Sequence, residues 1–110
     1  KTDSAVPYQL NYAQVFSRPS VIKSSEHRLD MWFSYRCGTG QKYRIGYAYN
    51  TGEGWQLALN NSGIDVSESG WDSEMIEYPF VFQHKNKTYM LYSGNGYGRT
   101  GFGLAVLNTP

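Results

Sequence analysis

A duplicated pattern of short apolar segments restricts the fold of this 110-residue sequence more than any other feature. Two sets of three segments match in order, at an offset of 60 residues from Arg18 to Tyr78 that falls to 57 from Tyr43 to Thr100. A nearly constant offset predicts one structural unit used twice, with small differences in loop length. The first set is 18–22, 31–35 and 43–48, and the second set is 78–82, 89–93 and 100–105.

The segments are typical of β-strands. Each is short, rich in Tyr, Phe, Val and Ile, and bounded by turn-forming residues, and none holds a helical period. The loops between them contain Gly, Asn and Lys, which favours hairpins and therefore antiparallel neighbours. Residues 55–59 are predicted to add a fourth strand to the first unit, whereas the second unit stops at Leu107 before a fourth strand.

Side chains alternate in size along the third strand of the first unit. Tyr43, Ile45, Tyr47 and Tyr49 are predicted to point to one face of the sheet, and the small residues between them to the other. A sheet with large residues on one face and small residues on the other suits stacking against a second sheet.

The predicted fold is therefore all-β, with antiparallel four-stranded blades of a β-propeller, and a plain β-sandwich is the alternative. We assign residues 1–13 to an outer strand of a preceding blade, 14–62 to a first blade and 63–110 to a second, incomplete blade. Propellers usually have at least four blades, so two blades predict part of a larger assembly. The unpaired blade edges predict self-association, in which residues 8–12 complete the second blade of the same or another copy.

The amino-acid composition argues against several classes of function. The formal net charge is +1 with charges scattered along the chain, which argues against a nucleic-acid partner. There is no apolar run long enough to cross a membrane and no signal-peptide core in residues 1–7. The single cysteine excludes an intrachain disulfide, and no Cys or His spacing predicts a metal or other cofactor. Ten Tyr and three Trp suit both sheet packing and stacking on sugar rings.

Two stretches, 70–82 and 89–98, resemble the later blades of five-bladed propeller glycosidases. The similar families are glycoside hydrolase families 43, 32, 62, 117 and 130, and the resemblance extends over about residues 14–107. In the first two families, a Glu followed by one residue and Pro opens the innermost strand of a blade, and that Glu is the general acid. Glu77-Tyr78-Pro79 matches this pattern. The resemblance implies a carbohydrate partner and a glycosidase of the propeller type.

Glycosidic hydrolysis needs a protonated carboxyl to donate to the departing oxygen and a second carboxylate as nucleophile or base. We favour Glu77 as the donor, with Glu74 as the alternative and Asp72 as a further rival. An acidic residue ahead of a strand is also often a solvated or turn-capping group. The families that this chain resembles carry the base in an early blade, which this chain does not match, so we expect the chain to be inactive alone.

Four residues are predicted to bind the substrate, and two of them, Arg18 and Trp71, are predicted to line the substrate channel. Arg18-Pro19 stands where family 32 has Asp before Pro, and Arg18 could hold a carboxylate or phosphate or form an ion pair with Glu77. The competing hypothesis is a glycan-binding module that lost its catalytic residues. The predicted substrate-binding residues are Arg18, Trp71, Asp72 and Tyr97.

Overall fold

A computed structural model describes residues 15–36, 42–99 and 101–107 of the chain. Within this part of the chain the structure consists of seven β-strands and a single short 3-10 turn, which confirms the predicted all-β class. The elements are β1 (Val15–Ser25), β2 (Arg28–Arg36), β3 (Arg44–Asn50), β4 (Trp55–Leu57), the 3-10 turn (Leu59–Asn61), β5 (Glu77–His84), β6 (Lys87–Ser93) and β7 (Phe102–Val106).

The strands form two antiparallel meanders. The first sheet has the order β1-β2-β3-β4 and the second has the order β5-β6-β7. The β5–β6 hairpin turns at Lys85 and Asn86, whose φ angles are 49° and 67°. Two consecutive positive φ values match the right-handed twist of the flanking strands, which is why this turn suits a tight hairpin.

The predicted fourth strand is shorter than expected. β4 spans Trp55–Leu57, and the chain then bends into the 3-10 turn instead of continuing to Leu59. Leu59 is buried and packs with Phe33 on the first sheet. Burial of the Leu59 side chain against the sheet face therefore ends the strand early.

The two sheets pack face to face. Trp32, Ile45 and Tyr47 of the first sheet contact Val81 and Met90 of the second sheet in a shared core. The large residues of β3 thus face the second sheet, as the alternation predicted.

The opposite face of the first sheet carries its own apolar cluster. Ala48 lies there with Met31 and Phe33, and Trp55 packs against them. Gly46 belongs to this face because a Cβ at that position would lie 2.7 Å from the Phe33 ring. The small residues of β3 are therefore required by the aromatic ring above them.

Some predictions fall outside the described residues. The proposed strand at residues 8–12 lies in the undescribed segment 1–14, so its pairing with the second blade stays a prediction. None of the helical segments in the described ranges has the length and apolarity to span a membrane.

Candidate functional site

The same backbone irregularity occurs near the start of β1 and of β5. Arg18 and Tyr78 each precede a proline and have φ angles of 54° and 55°, in the left-handed region that few residues of this size adopt. The strand register shifts at both places, between Ser17 and Ser20 and between residues 77 and 80. Each shift is a β-bulge, and such bulges commonly redirect a side chain. By position relative to the bulge, Arg18 of the first unit corresponds to Tyr78 of the second, and Ser17 corresponds to Glu77.

Glu77 is the residue that the second bulge buries. Its relative exposure is 0%, and neither carboxyl oxygen has a hydrogen-bond partner among the described residues. Burial raises the pKa of Glu77 to about 7, although the positive charge of Arg18 opposes the rise. A buried carboxyl without partners favours the neutral form because the ionised form has lost its water. Glu77 is therefore partly protonated at neutral pH.

Arg18 lies at the surface beside this carboxyl. Its guanidinium carbon is 4.7 Å from the centre of the Tyr78 ring, a cation–π contact. No ion pair between Arg18 and Glu77 occurs in the part of the chain that the structure describes. Arg18 therefore influences Glu77 through its charge at a distance and does not bind the Glu77 carboxyl.

Two serines of the first sheet hold the bulged part of β5 in place. The Tyr78 N–H donates to Ser34 Oγ at 2.7 Å, and the Val81 N–H donates to Ser20 Oγ at 2.9 Å. These bonds satisfy backbone donors of β5 from the neighbouring sheet. Neither serine was predicted as a site residue from the sequence, although Ser34 is a polar residue within the otherwise apolar run of β2, which is a usable signal.

Three tyrosines pack together at the same end of the sheets, and we name them the tyrosine cluster: Tyr43, Tyr78 and Tyr97. The ring of Tyr97 lies 6.2 Å from each of the other two rings. The Arg36 guanidinium lies 5.6 Å from the Tyr43 ring centre, so cations lie at both ends of the cluster. Tyr97 is 61% exposed, and its φ of 61° is again left-handed. The cluster presents an aromatic surface next to Arg18.

Trp71 and Asp72 are placed differently from the residues around Glu77. Trp71 stacks on Tyr92 at 5.6 Å and lies over Gly103, where a Cβ would come within 2.5 Å of the indole. Asp72 is buried and accepts a hydrogen bond from the Tyr92 hydroxyl at 3.1 Å. These contacts give both residues a packing role against the second sheet.

Glu74, the alternative donor, is exposed. Its backbone N–H donates to Asn95 Oδ1, and its carbonyl accepts from Arg44. These contacts involve only its backbone atoms. Among the predicted site residues, the structure brings Arg18 and Tyr97 into contact with Tyr78, which follows Glu77 in the chain.

A second buried acid provides a contrast at the other end of the first sheet. Asp30 pairs with Arg28 at 3.2 Å and accepts a hydrogen bond from the Tyr47 hydroxyl. Burial alone would raise the pKa of Asp30, but hydrogen bonds from Ser24, Tyr47 and Arg28 lower it overall. Asp30 is thus a fully partnered structural acid. No group of His, Cys, Asp and Glu side chains suited to a metal occurs among the described residues.

Two proteins of Mycobacterium tuberculosis are similar to this chain. Rv1502 is 57% identical over 93 residues, and MT1551 is 53% identical over 93 residues; both are named as uncharacterized. The matched region is 82% of this chain and 29% of each relative, so the chain spans less than a third of their length. No family model and no solved structure matches the chain.

Proposed function

We propose that this chain is part of a five-bladed β-propeller that cleaves glycosidic bonds and that Glu77 is the proton donor. The observation that carries the proposal is the buried carboxyl of Glu77, which has no partner in the structure and a pKa raised to about 7. A donor in glycosidic cleavage must be protonated near neutral pH, and enzymes raise the pKa of such a carboxyl by burying it.

The way the two sheets stack supports the propeller. Ile45 and Tyr47 on the first sheet face the second sheet, and strand register equates them with Phe102 and Leu104. Phe102 is 75% exposed and Leu104 is 56% exposed, on the outer face of the second sheet. The exposed outer face of the second sheet thus corresponds to the face of the first sheet that is buried against the second sheet. A further unit of the same kind would cover it, as in a ring of blades.

The chemistry needs a second carboxylate that this stretch does not supply near Glu77. Arg18 is the only charged group of the described residues that shifts the pKa of Glu77. We therefore place the nucleophile or base elsewhere in the longer protein, which also explains why we expect the 110-residue chain alone to be inactive.

One observation favours a second candidate, a glycan-binding propeller module without catalysis. Both oxygens of Glu77 are buried, so a substrate reaches this carboxyl only after neighbouring side chains move. In the binding module, the exposed Arg18 and Tyr97 would hold the glycan and Glu77 would have no chemical role.

The test uses the full-length protein that carries this stretch, assayed on a panel of aryl glycosides and oligosaccharides. We expect Glu77→Gln to reduce kcat by about 100-fold or more, because loss of a general acid typically costs that much. The decrease should be largest for substrates with poor leaving groups, since these depend most on protonation. Glu74→Gln tests the alternative donor in the same assay.

Glu53→Gln is the matched control, because it makes the same chemical change at an exposed position in the β3–β4 loop. Equal activity of wild type and Glu77→Gln would contradict the assignment of Glu77. Glycan binding without turnover in any variant would support the binding module instead.

A further inference from the structure

We propose that Arg18 and the tyrosine cluster form a subsite for a sugar that carries an anionic group, either a carboxylate or a phosphate. This inference deepens the proposed function, on which it rests, by naming the substrate class of the same site. It stands on three features of the structure: an exposed cation without a countercharge, an exposed aromatic face beside it, and a buried acid that does not neutralise the cation.

The charge of Arg18 is not neutralised by an ion pair. Within the described ranges, the only ion pairs join Arg28 to Asp30 and Arg44 to Asp65. The position of the Arg18 guanidinium over the Tyr78 ring leaves its N–H donors available. A guanidinium stacked on an aromatic ring presents a planar fork of donors that matches carboxylate and phosphate oxygens. Arg18 therefore has both the charge and the geometry for an anion.

Glu77 does not neutralise the positive charge of Arg18. Its carboxyl is fully buried, and the two oxygens accept no hydrogen bond, so Glu77 does not form an ion pair with Arg18. Burial also keeps it partly neutral at pH 7, because its pKa is raised to about 7. An incoming anion thus meets the Arg18 charge with little opposing charge from the nearest acid.

Tyr97 supplies the surface for the sugar ring. It is 61% exposed, while its ring packs with the rings of Tyr43 and Tyr78. A tyrosine presents a flat apolar face that suits the C–H face of a sugar, with a polar hydroxyl at its edge. Neighbouring rings hold Tyr97 in position before a ligand arrives, which lowers the entropy cost of binding.

The experiment measures binding and not turnover, by calorimetry or NMR titration of the full-length protein. The probes are glucuronate, glucose 6-phosphate, glucose and inorganic phosphate. We expect one or both anionic sugars to bind at least about 10-fold more tightly than glucose, since a hydrogen bond to a charged group contributes about that factor. Inorganic phosphate should bind more weakly than the anionic sugars, because it has no ring to stack.

Two variants separate the contributions. Arg18→Gln should abolish the preference for the anionic sugar over glucose, whereas Lys87→Gln, which removes one exposed charge at the β5–β6 hairpin, should retain it. Tyr97→Asn should weaken binding of all the sugars and leave phosphate unchanged. Asn tolerates the left-handed backbone of this position better than other side chains, so the loop should keep its shape.

Equal binding of glucose and both anionic sugars, or a preference that survives Arg18→Gln, would overturn the inference. Phosphate binding as tight as that of the anionic sugars would also overturn it. The proposed function fails separately: a protein that binds acidic sugars through Arg18 but never cleaves a glycoside supports the subsite and contradicts the glycosidase. Cleavage of neutral glycosides that depends on Glu77, without any preference for acidic sugars, would support the glycosidase and contradict the subsite.

Discussion

The bulges of β1 and β5 share a backbone geometry and differ in chemistry. Both place the residue before proline at a φ near 55°, and both shift the strand register at the same point. At equivalent positions, the first bulge has Ser17 and the second has a buried Glu77. The two units therefore have the same backbone at this point. The second unit has Glu77 where the first has Ser17, so the second bulge buries an acid and the first does not.

The partners of the two bulges differ as well. Ser34 on the first sheet accepts a hydrogen bond from the Tyr78 N–H, whereas Ser93, its equivalent on β6, accepts no such bond from any residue that the structure describes. The first unit therefore supports the bulge of the second, and the two units are not interchangeable. Substitutions at equivalent positions of the two units test this asymmetry.

Replacing Glu77 with Ser, the residue of the first bulge, should remove a pH dependence of stability. The folded-state pKa of about 7 lies above the ordinary value of 4.5. The folded protein therefore binds this proton more tightly, and its stability falls as pH rises from about 4.5 to 7. The full decrease in the free energy of unfolding is about 3 kcal/mol, from the conversion of the pKa difference to energy.

Chemical unfolding at pH 5 and pH 8 measures this effect in wild type, Glu77→Ser and Glu77→Gln. Both variants should lack the decrease, and Glu53→Gln should keep it. If wild type and Glu77→Gln lost the same stability between the two pH values, the burial of Glu77 as an unpartnered acid would be wrong.

Gly46 and Gly103 are equivalent positions of the two units that should respond differently to Ala. A Cβ at Gly46 would lie 2.7 Å from the Phe33 ring, and Phe33 is only 2% exposed. At Gly103 the nearest group is the indole of Trp71, a side chain that is only half-buried. We expect Gly46→Ala to lower the free energy of unfolding by about 2 kcal/mol and Gly103→Ala by about 1 kcal/mol. A larger loss at Gly103 would contradict this order.

Ser34→Ala should cost about 1 to 2 kcal/mol of stability, because it leaves the Tyr78 N–H without an acceptor in a buried site. Ser93→Ala is the control for the equivalent position of the second unit and should change the stability by less than about 0.5 kcal/mol. Denaturant titration of both variants checks the difference. Equal losses of stability would show that the hydrogen bond from the Tyr78 N–H to Ser34 does not make Ser34 more important for stability than Ser93.

Arg18→Gln should raise the pKa of Glu77 further, because it removes the positive charge that lowers it. The loss of the cation–π contact with Tyr78 should reduce the stability by no more than about 1 kcal/mol. NMR titration of the labelled Glu77 carboxyl measures the shift, with Lys87→Gln as the charge control. An unchanged pKa would place Arg18 too far from Glu77 to influence it.

Much of the fold could be predicted from local sequence. The segments 31–35, 78–82 and 89–93 lie within β2, β5 and β6, because alternation and turn residues act over a few neighbours. The prediction was too long at residues 55–59, where Leu59 turns back to pack with Phe33. That contact joins residues far apart in the chain, so no local pattern reveals it.

The candidate site was predictable only in part. Glu77 and Arg18 stood out beside their prolines, and Tyr97 stood out in a glycine-rich loop. Tyr43 and Tyr97 are far apart in the chain, so the sequence did not indicate that their rings would meet. The same is true of the hydrogen bond from the Tyr78 N–H to Ser34. These contacts cross from one unit to the other.

The repeat, the strands, the alternation of large and small side chains and the acid ahead of Pro79 can all be read from local sequence, because each depends on neighbouring residues. Which acid is buried without a partner depends on packing in three dimensions. Asp30 and Glu77 are both buried carboxylates, and packing gave Asp30 an arginine and a tyrosine while it left Glu77 with neither. Desolvation depends on what surrounds a group in space, and the chain order does not specify it.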